Sequence, residues 1–71
     1  MAEKILPIAA MERILRKGSP DIRVSDEAKD ALREILEEYG IEISRKAVTF
    51  SEHAGRKTIK ADDVKLAVKH Q

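Results

Sequence analysis

The sequence contains no cysteine. A disulfide framework and a thiolate zinc site are therefore excluded, although a chain of 71 residues makes only a marginal core without some staple. His53 and His70 lie far apart and lack the nearby carboxylates that would suggest another metal, so no metal and no cofactor are expected. Aromatic residues are limited to Tyr39 and Phe50, which argues against stacking on single-stranded bases. No apolar run approaches the roughly 18 residues of a membrane span. The apolar stretch near the N-terminus is too short for a signal peptide. The expectation is one soluble intracellular domain with no membrane partner. Asparagine is absent and glutamine occurs only at Gln71; with so much charge, this leans towards a thermophilic source. No nucleophile motif, glycine-rich phosphate loop or metal signature is present. Neither catalysis nor a small-molecule substrate is expected.

What is present is organised around one long stretch, Asp26 to about Ala54, which reads as a single helix. Such a helix is roughly 43 Å long, whereas a compact monomer of this length has a diameter of roughly 30 Å. A second chain is needed to cover the excess. Ala28, Ala31, Leu32, Ile35, Leu36, Tyr39, Ile43, Ala47, Phe50 and Ala54 share one broad face at 100° per residue. Ile41 and Val48 stack on nearly the opposite side, which gives the helix a second apolar contact.

Residues 1–6 read as a short disordered or extended arm. Pro7 suits the first turn of a helix over about 7–17, and Ile8, Met11, Ile14 and Leu15 give it one buried face. Gly18-Ser19-Pro20-Asp21 is a turn. Ser25 is the N-cap of the long helix, with Asp26 and Glu27 set against its dipole. Gly40, in the middle, costs about 1 kcal/mol against alanine and often marks close approach of another backbone. Gly55 is a left-handed C-cap. A last helix covers about 61–70. The fold class is all-α: short helix, loop, long helix, loop, short helix, in one domain.

Net charge is only +1, but it is segregated. Asp26 to Glu42 carries seven acids and two bases, and the rest of the chain twelve bases and six acids. Arg13, Arg16, Lys17, Arg23, Arg56, Lys57 and Lys60 fall on the first helix or in the two loops. If the loops meet, Arg23 and Arg56-Lys57-Thr58 form one cationic edge, in which Thr58 can donate to a phosphate. The pattern points to the backbone of double-stranded DNA.

Leu6-Pro7-Ile8-Ala9, Arg23-Val24-Ser25 and above all His53-Ala54-Gly55-Arg56-Lys57-Thr58-Ile59-Lys60-Ala61-Asp62-Asp63 resemble the archaeal histones, and the resemblance covers essentially the whole chain. It implies the histone fold, with two chains interlocked head to tail, long helices crossing near the middle, and loop 1 of one chain beside loop 2 of the other. It also implies an architectural protein that binds, bends and wraps DNA, largely without sequence preference. On matching positions, Arg13 and Arg16 face DNA, Arg23 enters the minor groove, Lys57 and Thr58 contact phosphate, and Lys60 is a weaker contact. Arg56 pairs with Asp63. Phe50, His53 and Asp63 form a dimer–dimer contact, with His53 bonded to Asp63 across it. The implied partners are DNA, a second copy of the chain in dimers, tetramers or longer arrays, and related histones in heterodimers. The alternative is a histone-fold interaction module of a transcription-factor-like heterodimer, with DNA binding secondary. The implied location is the chromosome.

Overall fold

The computed structural model describes residues 4–70. Met1–Glu3 of the expected arm, and Gln71, lie outside the described residues. Three helices follow one another: α1 (Ile8–Leu15), α2 (Asp26–His53) and α3 (Ala61–Lys69). Among the described residues there is no strand, and no helix is long and apolar enough to cross a membrane. The chain packs as two compact units, Met1–Glu38 and Tyr39–Gln71, and α2 contributes to both.

In the first unit, α1 begins one residue later than expected. Pro7 is its N-cap, with extended backbone (φ −69°, ψ 136°) and no side-chain cap. The helix stops at Leu15, two residues short of the expected limit. The N–H groups of Lys17 and Gly18 bond three residues back, to Ile14 and Leu15, so the last turn tightens out of α geometry. Of the expected apolar face, Met11 is buried and Leu15 half-buried, whereas Ile8 and Ile14 are exposed. Loop 1 turns at Ser19–Ile22, where the Ile22 N–H meets the Ser19 carbonyl at 3.3 Å and Pro20 supplies the preset φ of the second turn position. Ser25 then caps α2: its Oγ accepts the Ala28 N–H at 3.1 Å.

The arm, expected as disordered or extended, is anchored over its described part. Glu37 is a buried acid on α2. Its carboxylate accepts the backbone N–H of Lys4 at 2.8 Å and of Leu6 at 2.6 Å. A second tie joins α1 to α2 where Glu12 pairs with Lys29 at 2.7 Å. Glu12 also meets Arg16 at 3.3 Å.

In the second unit, α2 ends in a complete Schellman arrangement. Gly55 takes φ +72°. The Arg56 N–H reaches back to the Ser51 carbonyl at 3.0 Å, and the Gly55 N–H to that of Glu52 at 2.9 Å. Lys46 Nζ donates to the His70 carbonyl at 3.0 Å, closing the end of α3 onto α2.

The buried apolar set among the described residues is Met11, Ala47 and Ala67. Ile22, Ile35, Tyr39, Ile59, Val64, Leu66 and Val68 are exposed. Leu32, Leu36, Ile43 and Phe50 are half-buried, as is Ile41 on the other side of α2. One methionine and two alanines are a small fully buried apolar set, among the described residues, for a domain of this length.

Candidate nucleic-acid interface

The cationic residues divide between the two units. In the first, Arg13, Arg16, Lys17 and Arg23 are all exposed. Arg13, Arg16 and Lys17 surround a shallow depression closed by Pro20. Lys17, which the sequence offered only as one of a general basic set, joins the arginines because it follows Arg13 by four residues and returns to the same side of the chain. Among the described residues, Arg16 is the one member with an acid partner, Glu12. The Glu12 carboxyl is held below its ordinary value of 4.5, chiefly by its hydrogen bond to Lys29, and the Lys29 ammonium is correspondingly raised. Glu12 is thus kept as an anion between two cations.

In the second unit, loop 2 carries Lys57, Thr58 and Lys60, all exposed. Its backbone is fixed from beneath. Ser51 is buried, and its hydroxyl lies 2.9 Å from the Thr58 carbonyl and 3.2 Å from that of Arg56, so one proton serves both. The Arg56 guanidinium donates to the Thr58 carbonyl at 2.7 Å and grips Asp63 with two bonds of 3.0 Å. Asp63 also accepts the Lys60 N–H at 2.8 Å. Its carboxyl is held below the ordinary 3.8, first by Arg56 and then by that amide. The Arg56–Asp63 pair therefore ties the loop to the first turn of α3. Lys57 and Lys60 have no carboxylate within ion-pair distance among the described residues, and neither do Arg13, Lys17 or Arg23.

Of the three residues expected at a dimer–dimer contact, His53 is exposed, Phe50 half-buried and Asp63 buried. The Phe50 ring sits 5.9 Å from that of His70, tilted by 51°. Asp63 already accepts three hydrogen bonds within its own chain, which leaves one acceptor direction on Oδ1. Sequence reasoning missed Ser51 and Glu37. A serine two residues before the end of a helix and a glutamate among seven acids carry no local signal. Each works through a contact that depends on the fold.

Two short helices flanking one long one, joined by two structured loops, define a histone-fold protein. The family described as "Histone-like transcription factor (CBF/NF-Y) and archaeal histone" matches residues 4–68. One of the subunits of archaeal histone HAN1 from Thermococcus zilligii is 58% identical over 69 residues, 97% of this chain and 98% of that protein. Probable archaeal histone 3 of Methanocaldococcus jannaschii is 48% identical over the same fractions. Histone H4, major, of Tetrahymena pyriformis is 40% identical over 62 residues, 87% of this chain and 59% of that protein. The chain belongs to the family of archaeal histones and histone-like transcription factors.

Proposed function

We propose that this protein packages double-stranded DNA on the chromosome as an architectural, non-enzymatic histone. Homodimers bind the duplex, bend it around their outer face and associate into tetramers or longer arrays. The observation that carries this reading is the set of exposed cations Arg13, Lys17, Arg23, Lys57 and Lys60, which lack an acid partner among the described residues. Arg23 of one chain lies beside Lys57 and Thr58 of its partner, with Arg23 in the minor groove and Lys57 and Thr58 on phosphate. Arg13 and Arg16 meet the backbone along α1, and Lys60 adds a peripheral contact. Phe50, His53 and Asp63 join dimer to dimer. The exposed apolar side chains of α2 and α3 supply the dimer core that the single chain lacks. Such binding reads charge and deformability rather than bases.

Nuclease digestion of long duplex DNA reconstituted with the purified protein tests the reading. A ladder of protected fragments growing by a constant step is the expected result. A single protected length would limit assembly to closed dimers or tetramers. No protection at low salt, from a protein shown to be folded, would overturn the packaging reading.

A second reading is one half of a histone-fold heterodimer with secondary DNA binding. The description of the matching family, which joins archaeal histones with transcription factors, favours keeping it. A purified chain that folds only when a related histone is added would support this reading over the homodimer.

A further inference from the structure

We propose that Glu37 is a positioning residue for the DNA face of α1, although it lies on α2. The inference rests on the reading that Arg13 and Arg16 meet duplex phosphate.

The sequence of α1 holds its own start poorly. The helix has eight residues, well short of the 12–15 at which isolated helices become even marginal. Its N-cap is Pro7, which provides no side-chain acceptor, and its first turn contains no acid. A carboxylate from 31–33 residues away acts just ahead of the helix: Glu37 accepts the amides of Lys4 and Leu6, and Leu6 directly precedes Pro7, the N-cap. Glu37 is only 5% exposed, so this is a desolvated, charge-assisted contact and not a surface encounter. Lys4 adopts φ +57°, a conformation that residues with a side chain seldom take unless their surroundings over-determine it. The lead-in to α1 is therefore pinned to α2 by its backbone.

Two further grips on α1 are Met11, its one fully buried residue, and the Glu12–Lys29 pair. Both act at mid-helix. A clamp ahead of the N-terminus together with the grips near the middle fixes the direction of a short helix. With the clamp gone, α1 pivots about Met11 and Glu12, and Arg13 and Arg16 lose their register against the duplex.

The sign of the effect separates positioning from simple electrostatics. Removing an acid from a DNA-binding protein strengthens attraction to DNA if charge alone acts. Positioning demands the reverse at Glu37. Glu37→Gln leaves one oxygen to accept but turns an N–H₂ donor towards the second amide. Glu38→Gln removes the same charge one residue along, at an exposed position.

The experiment measures affinity for a long DNA duplex against salt concentration, using the full chain. The expected result is that Glu38→Gln binds as tightly as the parent or more tightly. Glu37→Gln binds more weakly, with a salt dependence shallower by about 0.9 for each phosphate that is no longer neutralised. Added to Arg13→Ala/Arg16→Ala, Glu37→Gln removes no further slope, because the cations it positions are already absent. A purely structural role would lower the unfolding temperature and leave the slope of the folded protein unchanged. Glu37→Asp keeps the charge but withdraws it by one methylene; it gives an intermediate slope and serves if Glu37→Gln does not fold. Equal slope and affinity for Glu37→Gln and Glu38→Gln would overturn the proposal, as would slope reductions that add to those of the arginine variants. A parent protein that fails to bind duplex would overturn the DNA reading itself, before any variant is compared.

Discussion

Two glycines in this chain predict opposite responses to the same substitution. Gly40 lies in mid-α2, and a Cβ built there meets nothing within 4 Å. Gly40→Ala therefore brings no clash within the chain, only the helix-propensity gain of about 0.8–1.0 kcal/mol. On the dimer reading there are two copies, so the gain approaches ~2 kcal/mol, worth about 3–8 °C in unfolding midpoint for an assembly of some 140 residues. A Cβ at Gly55 also meets nothing within 4 Å, but there φ is +72°. Alanine at Gly55 brings a left-handed penalty of about 1–2 kcal/mol per residue. Reduced freedom of the unfolded chain offsets part of it, leaving a net loss of about 1 kcal/mol per chain. Thermal unfolding followed by circular dichroism, at one fixed protomer concentration, checks both. A lowered midpoint for Gly40→Ala would refute the reasoning from empty space, since only a neighbouring chain could fill it. The place to look would then be a partner's backbone crossing at the middle of α2.

Acid should weaken the fold in a defined window. Glu12 and Asp63 are both held below their ordinary values of 4.5 and 3.8. Their stabilisation is complete above those values and is lost as pH falls through the depressed ones. On the alkaline side, Lys29 is raised above 10.5, so its share persists below that pH and is lost as pH rises through the raised value. Midpoints measured by calorimetry across pH should therefore be flat around neutrality and fall at both extremes. Ser51→Ala removes one buried donor at the cost of about 0.5–1.5 kcal/mol, towards the lower end because Arg56 still donates to the Thr58 carbonyl; the denaturation midpoint in urea reads this directly. Asp63→Asn breaks the two-bond grip of Arg56 and unties loop 2 from α3. Amide exchange should rise at Arg56–Lys60, and DNA affinity should fall although the net charge becomes more positive.

The short–long–short order was legible because its signals are local. Ser25 three residues before the Ala28 amide, Gly55 after the last turn and the turn read at Gly18-Ser19-Pro20-Asp21, which closes one residue later at Ser19–Ile22, each act within a few residues. The cationic loops were legible for the same reason. The Glu37 clamp was not: it joins positions more than thirty residues apart, and nothing in Lys4-Ile5-Leu6 marks its amides as anchored. The start of α1 differs by one residue because Pro7 fits both the cap and the first turn, and its end by two because the Lys17 and Gly18 amides bond three residues back. Arg56 and Asp63 came from family likeness alone, since their spacing of seven crosses a loop with no fixed period. The exposure of Ile8 and Ile14 shows where periodicity stops being informative. It places side chains on a common face and is silent on whether that face meets the same chain or another.

If a second chain must complete the small core of Met11, Ala47 and Ala67 found among the described residues, abundance becomes a determinant of folding. On the dimer reading, each tenfold dilution removes about 1.4 kcal/mol from the apparent stability of the folded state. A cell making too little of this protein would hold unfolded chains open to proteolysis rather than a smaller pool of working histone. DNA reverses that loss, because a duplex that bridges both chains keeps them at high local concentration. The genome would then act as the chaperone of the protein that compacts it, and the amount of folded histone would follow the amount of DNA left to cover.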